Sequence, residues 1–160
     1  MKYQNGQPLL GLVPAGVLDH QSQTNFQTSG YSTLSRALSR TLPDHLQLGV
    51  ATSAFLSDIT VVDPDLSIFP RMNTREVRGP DILLAIEVAD TTLAKDLHLK
   101  AGVYAKYGVR ELWVIDANKR VTHVFRDPIA GAWTQLETHD AEHALTHASA
   151  PGFLVRLGEL

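Results

Sequence analysis

The sequence predicts a mixed α/β domain, and two observations carry that expectation. Runs rich in Val, Ile and Leu, each bounded by Gly, Pro or Asp, recur with strand length through the middle of the chain. A single amphipathic segment, TLAKDLHLKAGVYAKYGV, separates two of those runs, so the strands on either side of it should lie parallel with the helix crossing one sheet face. The element order is therefore helix, several strands, helix, more strands.

LLGLV (9–13) reads as a short strand. From Asp19 or Thr24 to Leu42 the spacing of Phe26, Tyr31, Leu34, Leu38 and Leu42 predicts a first helix, weakened by Gly30 and closed by Pro43. LQLGVATSAF (46–55), ITVV (59–62), DLSIFP (65–70) and DILLAIEV (81–88) follow as strands. The second helix spans Thr91 to about Tyr107, with Asp90, Thr91 and Thr92 as cap candidates and Gly108 at its C-terminal stop. ELWVID (111–116), RVTHVFRD (120–127) and WTQLET (133–138) complete the set, the first two joined by a turn at Ala117, Asn118 and Lys119.

With 160 residues, 44% hydrophobic and 19% charged, the chain suits one domain, residues 1–160, with a core of its own. The absence of cysteine excludes disulfides, thiolate metal sites and a thiol nucleophile. No apolar run reaches the ~18 residues of a membrane span and MKYQNGQPLL lacks a signal-peptide core, so a cytoplasmic location and no membrane partner are expected. A formal net charge of −3 disfavours general nucleic-acid affinity but leaves room for a basic cleft.

Between Pro64 and Val88 the sequence suggests two antiparallel strands around a loop of roughly ten residues, centred near Glu76. Pairing residues symmetrically about that centre sets Leu66 against Ile86, Ile68 against Leu84 and Asp65 against Glu87. Leu66, Ile68, Ile82, Leu84, Ile86 and Val88 then form a hydrocarbon face, while the other face carries the two acids with small Ser67 and Ala85. Carboxylates opposed at about 5 Å repel, and burying both calls for a cation between them. All-oxygen ligands favour Mg²⁺ or Mn²⁺, held by Asp65, Glu87 and a backbone carbonyl such as that of Val88. Asp63 shares the strand parity of Asp65 and competes with it. The bland alternative is that both acids are solvated strand ends.

Lys100 is the second anomaly. At ~100° per residue, Leu97, Lys100, Tyr104 and Tyr107 lie within about 40° of Leu93 on the buried stripe of the helix, whereas Lys95 and Lys106 point away. If the helix covers the acidic face, the Lys100 amine arrives beside the carboxylates, with Asp96 as its i, i+4 partner. There it would orient or help activate water and stabilise a phosphorane-like transition state. Otherwise it snorkels to solvent against Asp96.

The ordered set Pro64–Asp65, Glu87–Val88 and DLHLKAGVYAKYGVRELWVID (96–116) resembles the Uma-two family of restriction endonucleases, a branch of the PD-(D/E)XK nuclease superfamily. The ending APGFLVRLGEL also resembles that family's last strand and terminus. The resemblance implies a restriction-endonuclease-like mixed β-sheet with flanking helices and a metal-dependent endonuclease acting on DNA. It implies Asp65 and Glu87 as metal ligands, Lys100 as a lysine moved from strand to helix, and Asp96 and Tyr104 as recurring supporting positions. The superfamily's commonest lysine position, two residues after the glutamate, is Ala89 here. The first glutamate in the chain is Glu76, so Asp19 is the nearest candidate for an upstream acidic ligand. The rival class is a catalytically inactive module that keeps the fold for nucleic-acid binding or assembly. A homodimer is the expected assembly if both DNA strands are cut, since that takes two sites.

Elsewhere, Arg71, Arg75 and Arg78 would contact phosphates if their loop curls toward a substrate, and would otherwise form a solvated loop with Glu76. His139, His143 and His147 fall four apart, a zinc-binding face only if that segment is helical. His20, beside Asp19, is an N-cap candidate. Trp113 and Trp133 read as packing residues.

Overall fold

In the structure, a computed structural model, residues 25–72, 76–90 and 93–160 are described. The expected strand at 9–13, Asp19, His20, Arg75, Thr91 and Thr92 lie outside them. The first helix, α1 (Asn25–Thr41), is followed by β1 (Leu46–Val50), β2 (Ala54–Ser57), β3 (Thr60–Val62), β4 (Leu66–Pro70), β5 (Val77–Arg78) and β6 (Leu84–Ala89). A three-part helix comes next: α2 (Leu93–Lys95), a π segment (Asp96–Lys100) and α3 (Ala101–Lys106). The strands β7 (Glu111–Asp116), β8 (Val121–Ile129) and β9 (Ala132–His139) then extend the sheet.

The main sheet has six strands in the order β1-β4-β6-β7-β8-β9, antiparallel throughout except for the β6–β7 pair joined by the crossover helix. A mixed α/β architecture is thus present, with the predicted parallel pair. The register also holds: Leu66 faces Ile86, Ser67 faces Ala85 and Ile68 faces Leu84. Turn residues 117–119 join β7 and β8 antiparallel, as expected.

Both sheet faces are covered, the acidic one by the crossover helix as expected. On the first face, Leu66, Ile68, Leu84, Ile86, Trp113, Ile115 and Val124 pack under Leu34 and Leu38 of α1 and under the C-terminal residues Leu145, Phe153 and Val155. The C-terminal segment contributes a bridge between Leu145 and Val155 and a 3₁₀ turn (Leu157–Glu159) rather than a full strand. On the second face, Phe69, Ala85, Leu112, Val114 and Phe125 meet Ala101, Tyr104 and Ala105 of the crossover helix together with Ala54, Leu56 and Val77. Ile82 belongs to this second core, because β6 starts at Leu84 after a 3₁₀ turn (Gly79–Asp81) and strand alternation does not reach back to it.

Residues 46–55 are two strands in two sheets, not one strand. Ala51 adopts φ 44, and its N–H donates to the Asp65 carbonyl at 3.0 Å, so the chain leaves the main sheet there. It enters a smaller sheet ordered β3-β2-β5. β5 occupies part of the segment read as a loop, and pairs parallel with β2. Gly79 then passes so close to the end of the crossover helix that a Cβ there would sit 2.1 Å from the Tyr107 carbonyl oxygen. Among the described residues no helix is long and apolar enough to cross a membrane.

Candidate acidic site at the end of β6

Asp65 stands just before β4, one register step beyond the Leu66–Ile86 pair, and so opposite Glu87 of β6. Its Oδ2 accepts the Val88 N–H at 2.7 Å, while its carbonyl accepts from Ala51 N–H at 3.0 Å and from the Tyr31 hydroxyl at 2.9 Å. Three elements therefore fix this residue. Asp63, its competitor in the sequence, is exposed and accepts the Ser53 hydroxyl at 2.6 Å instead.

Glu87 is 3% exposed, which makes its surroundings decisive. Tyr104, itself fully buried, donates its hydroxyl to Oε1 at 2.7 Å, and the Lys100 amine lies 2.9 Å from Oε2. Lys100 also lies 3.0 Å from Oδ1 of buried Asp96. The inward lysine thus ties the sheet acid to a helix acid. Asp96, Lys100 and Tyr104 come from the crossover helix, which turns out to contain one π turn: the Ala101 N–H bonds to the Asp96 carbonyl across five residues. Such a turn inserts a residue into the helical repeat and is frequent at functional sites. Regular 3.6-residue periodicity did not anticipate it, since no Pro or Gly marks the segment.

Charge is unbalanced here. Asp65, Glu87 and Asp96 gather around one ammonium. Burial pushes the Glu87 carboxyl up to about 7, with Asp65 adding to the rise and the Lys100 charge and the Tyr104 bond opposing it. Asp65 is also raised, by burial first, against the Val88 hydrogen bond and Lys100. Burial alone would lower the Lys100 amine, but Glu87 and Asp96 outweigh it and hold the group protonated beyond its usual range. Lys100 accordingly donates to both acids as an ammonium.

Val88 is half-buried beside Glu87 on β6, next to Asp65. The arginines are elsewhere. Arg71 follows β4 at the end away from Asp65, about 16–20 Å along the strand, with its Nε on the Asp44 carbonyl at 3.0 Å. Arg78 is exposed on β5 and paired with Glu76 at 3.1 Å, just before the Gly79 contact with the far end of the helix. The structure does not bring Arg71 or Arg78 to the acidic cluster. Neither does it align the histidines on a helix: β9 ends at His139, whose ring stacks on His143 at 3.8 Å, while His147 is buried against Trp113. No three His, Asp or Glu side chains converge as a metal cage among the described residues. Tyr31 is the contact the sequence reading missed; its place on the α1 stripe marked it as core, and nothing in its spacing announced a hydroxyl partner. A cavity of about 200 Å³ lined by Leu83, Arg110, Glu111, Arg126 and His147 opens at the opposite end of β7.

A family model described as Uma2, putative restriction endonuclease, matches residues 5–157. The fold is similar to the crystal structure of a putative nuclease from Anabaena variabilis, with a TM-score of 0.69 over 86% of this chain and 80% of that one at 14% identity. No curated protein matches this chain.

Proposed function

The chain belongs to the Uma2 family, and from that membership we propose that it is a metal-dependent endonuclease that hydrolyses phosphodiester bonds of DNA. The observation that carries the reading is the Lys100 amine between Glu87 and Asp96, on a helix whose Tyr104 holds the other Glu87 oxygen. A lysine at the acidic end of a sheet, beside two opposed carboxylates, is the chemistry phosphoryl transfer needs.

The donor set fits a hard divalent cation. Asp65 and Glu87 offer carboxylate oxygens and Val88 a carbonyl, and the carboxyl raised to about 7 is one that an added cation would return to the ionised form. Mg²⁺ commonly takes one or two protein carboxylates and fills its remaining positions with water and substrate phosphate, so the pair Asp65 and Glu87 suits it. When bound, Mg²⁺ or Mn²⁺ supplies Lewis acidity and charge neutralisation at the phosphate.

The chain's own residues do the rest. Val88 N–H and the clamp on the Asp65 carbonyl hold one carboxylate still, and Tyr104 orients the other. Water attacks phosphorus and gives up a proton to solvent, the bond to the leaving oxygen breaks, and that oxygen takes a proton from solvent and departs as a hydroxyl while the phosphate stays on the other fragment. The protonated Lys100 amine orients the water and offsets charge accumulating on the phosphoryl oxygens. Asp96 would keep Lys100 beside the site if Glu87 were to hold a metal.

Calorimetric titration with Mn²⁺ tests the metal assignment. Wild type should bind, and Asp65→Asn and Glu87→Gln should each weaken binding at least ~10-fold. Equal affinity in all three proteins would remove these residues as ligands and favour the inactive-module reading.

A further inference from the structure

We propose that Lys119 and His123 form a phosphate-binding flank of the same site, seating the DNA backbone beside the bond that is cut. The inference rests on the nuclease reading and names the surface that takes the substrate's neighbouring phosphates.

Register supplies the first argument. Glu87 faces Val114, Val114 faces His123, and His123 faces Thr138. Residues directly opposite in paired strands project to one face, so Asp65, Glu87 and His123 lie in one row on the sheet face that carries the crossover helix. Two strand spacings, about 10 Å, separate Glu87 from His123. That span covers about three phosphates of one DNA strand at ~3.4 Å of helix axis each.

The second argument is exposure joined to rigidity. His123 is only half-buried and Thr138 is exposed, so the row emerges from under the helix at β8. The Thr138 hydroxyl pairs with His123 Nδ1 at 3.1 Å, which leaves Nε2 as the ring atom available to a ligand. Lys119 projects from the adjoining turn, exposed but on a fixed backbone: Asp116 Oδ1 accepts the Asn118 and Lys119 N–H groups at 3.0 and 2.9 Å. The Asn118 amide then donates to Asp90 Oδ1 at 2.6 Å and to its carbonyl at 3.1 Å, fastening the turn to the residue that closes β6. The site strand and the cationic turn are thereby one unit. Burial lowers the His123 imidazole below its ordinary range, the Asp116 carboxylate opposes that shift and the Lys119 charge adds to it, so the Lys119 ammonium lies close enough to act on the ring.

The test is anisotropy of a fluorescent duplex of about 20 base pairs, in Ca²⁺, across a salt series, for wild type, Lys119→Ala, His123→Asn and Arg71→Ala. Lys119→Ala should weaken binding ~5–20-fold and reduce the slope of log affinity against log salt by about 1. His123→Asn should weaken it ~3–10-fold, Arg71→Ala should match wild type, and Mn²⁺ affinity should be unchanged in all. Wild-type affinity and slope in both flank variants would overturn the flank while leaving the nuclease reading intact. A wild type that binds no duplex at all would overturn both.

Discussion

The Lys100 amine meets the Glu87 carboxylate at 2.9 Å across the gap between crossover helix and sheet, with side-chain exposures of 22% and 4%. An ion pair this sheltered is costly to break from one side, because the surviving charge stays in a poor solvent. Its net value to the fold is small, since burying both partners cancels much of their attraction. Several measurable consequences follow from how this pair is held.

Tyr104→Phe removes a buried hydrogen bond of 2.7 Å to Glu87 and leaves an acceptor short of a donor. Urea unfolding should show a loss of about 1–3 kcal/mol. The bond also helps keep the carboxyl ionised, so the Glu87 pKa should climb further above about 7.

Glu87 sets a pH dependence of stability with a definite sign. Its folded pKa of about 7 lies above the ordinary 4.5, so between those values the folded state holds the extra proton and stability falls as pH rises. The interval is worth on the order of 3 kcal/mol, and raised Asp65 acts in the same direction. Urea melts at pH 5 and pH 8 should show wild type weaker at pH 8, Glu87→Gln with a smaller difference between the two, and saturating Mg²⁺ restoring the wild type at pH 8. A wild type that grows more stable toward pH 8 without metal would contradict the account of this carboxyl.

Asp65→Asn keeps an oxygen for the Val88 N–H, so it should fold within about 1 kcal/mol of wild type while losing activity. Tyr31→Phe should cost about 1 kcal/mol and lower kcat more than it raises KM, because it loosens the Asp65 carbonyl without touching a ligand atom.

Two glycines should respond oppositely to alanine. At Gly79 the new methyl meets the Tyr107 carbonyl oxygen at 2.1 Å, and thermal melting should fall by more than about 5 °C. At Gly102, within α3 and with nothing in reach, alanine should gain about 0.5–1 kcal/mol.

Much of this site was legible from residues alone because sheet register is arithmetic. One symmetric centre near Glu76 was enough to pair Leu66 with Ile86 and to place Asp65 opposite Glu87, and helical phase was enough to turn Lys100 inward. The unread parts have physical reasons. The break at Ala51 uses a left-handed conformation at a residue type that gives no warning of it. The π turn at 96–100 leaves no residue signature, and it alters which side chains share the inner face. The Arg-rich loop looked close to the site only in sequence: an antiparallel hairpin carries its loop to the end opposite its open termini, and Arg71 went with it. Lys119 was read as a turn residue, because the register that brings its neighbour His123 into line with Glu87 runs through two further strand pairings.

The central claim is that Lys100, Asp65 and Glu87 form a working hydrolytic site, and nicking of supercoiled plasmid by wild type and Lys100→Ala in Mg²⁺ or Mn²⁺ tests it most directly. The account predicts metal-dependent nicking by wild type and a rate at least ~100-fold lower for the variant, with the fold verified by circular dichroism. Equal rates in the two proteins, or no metal-dependent nicking by wild type, would contradict it.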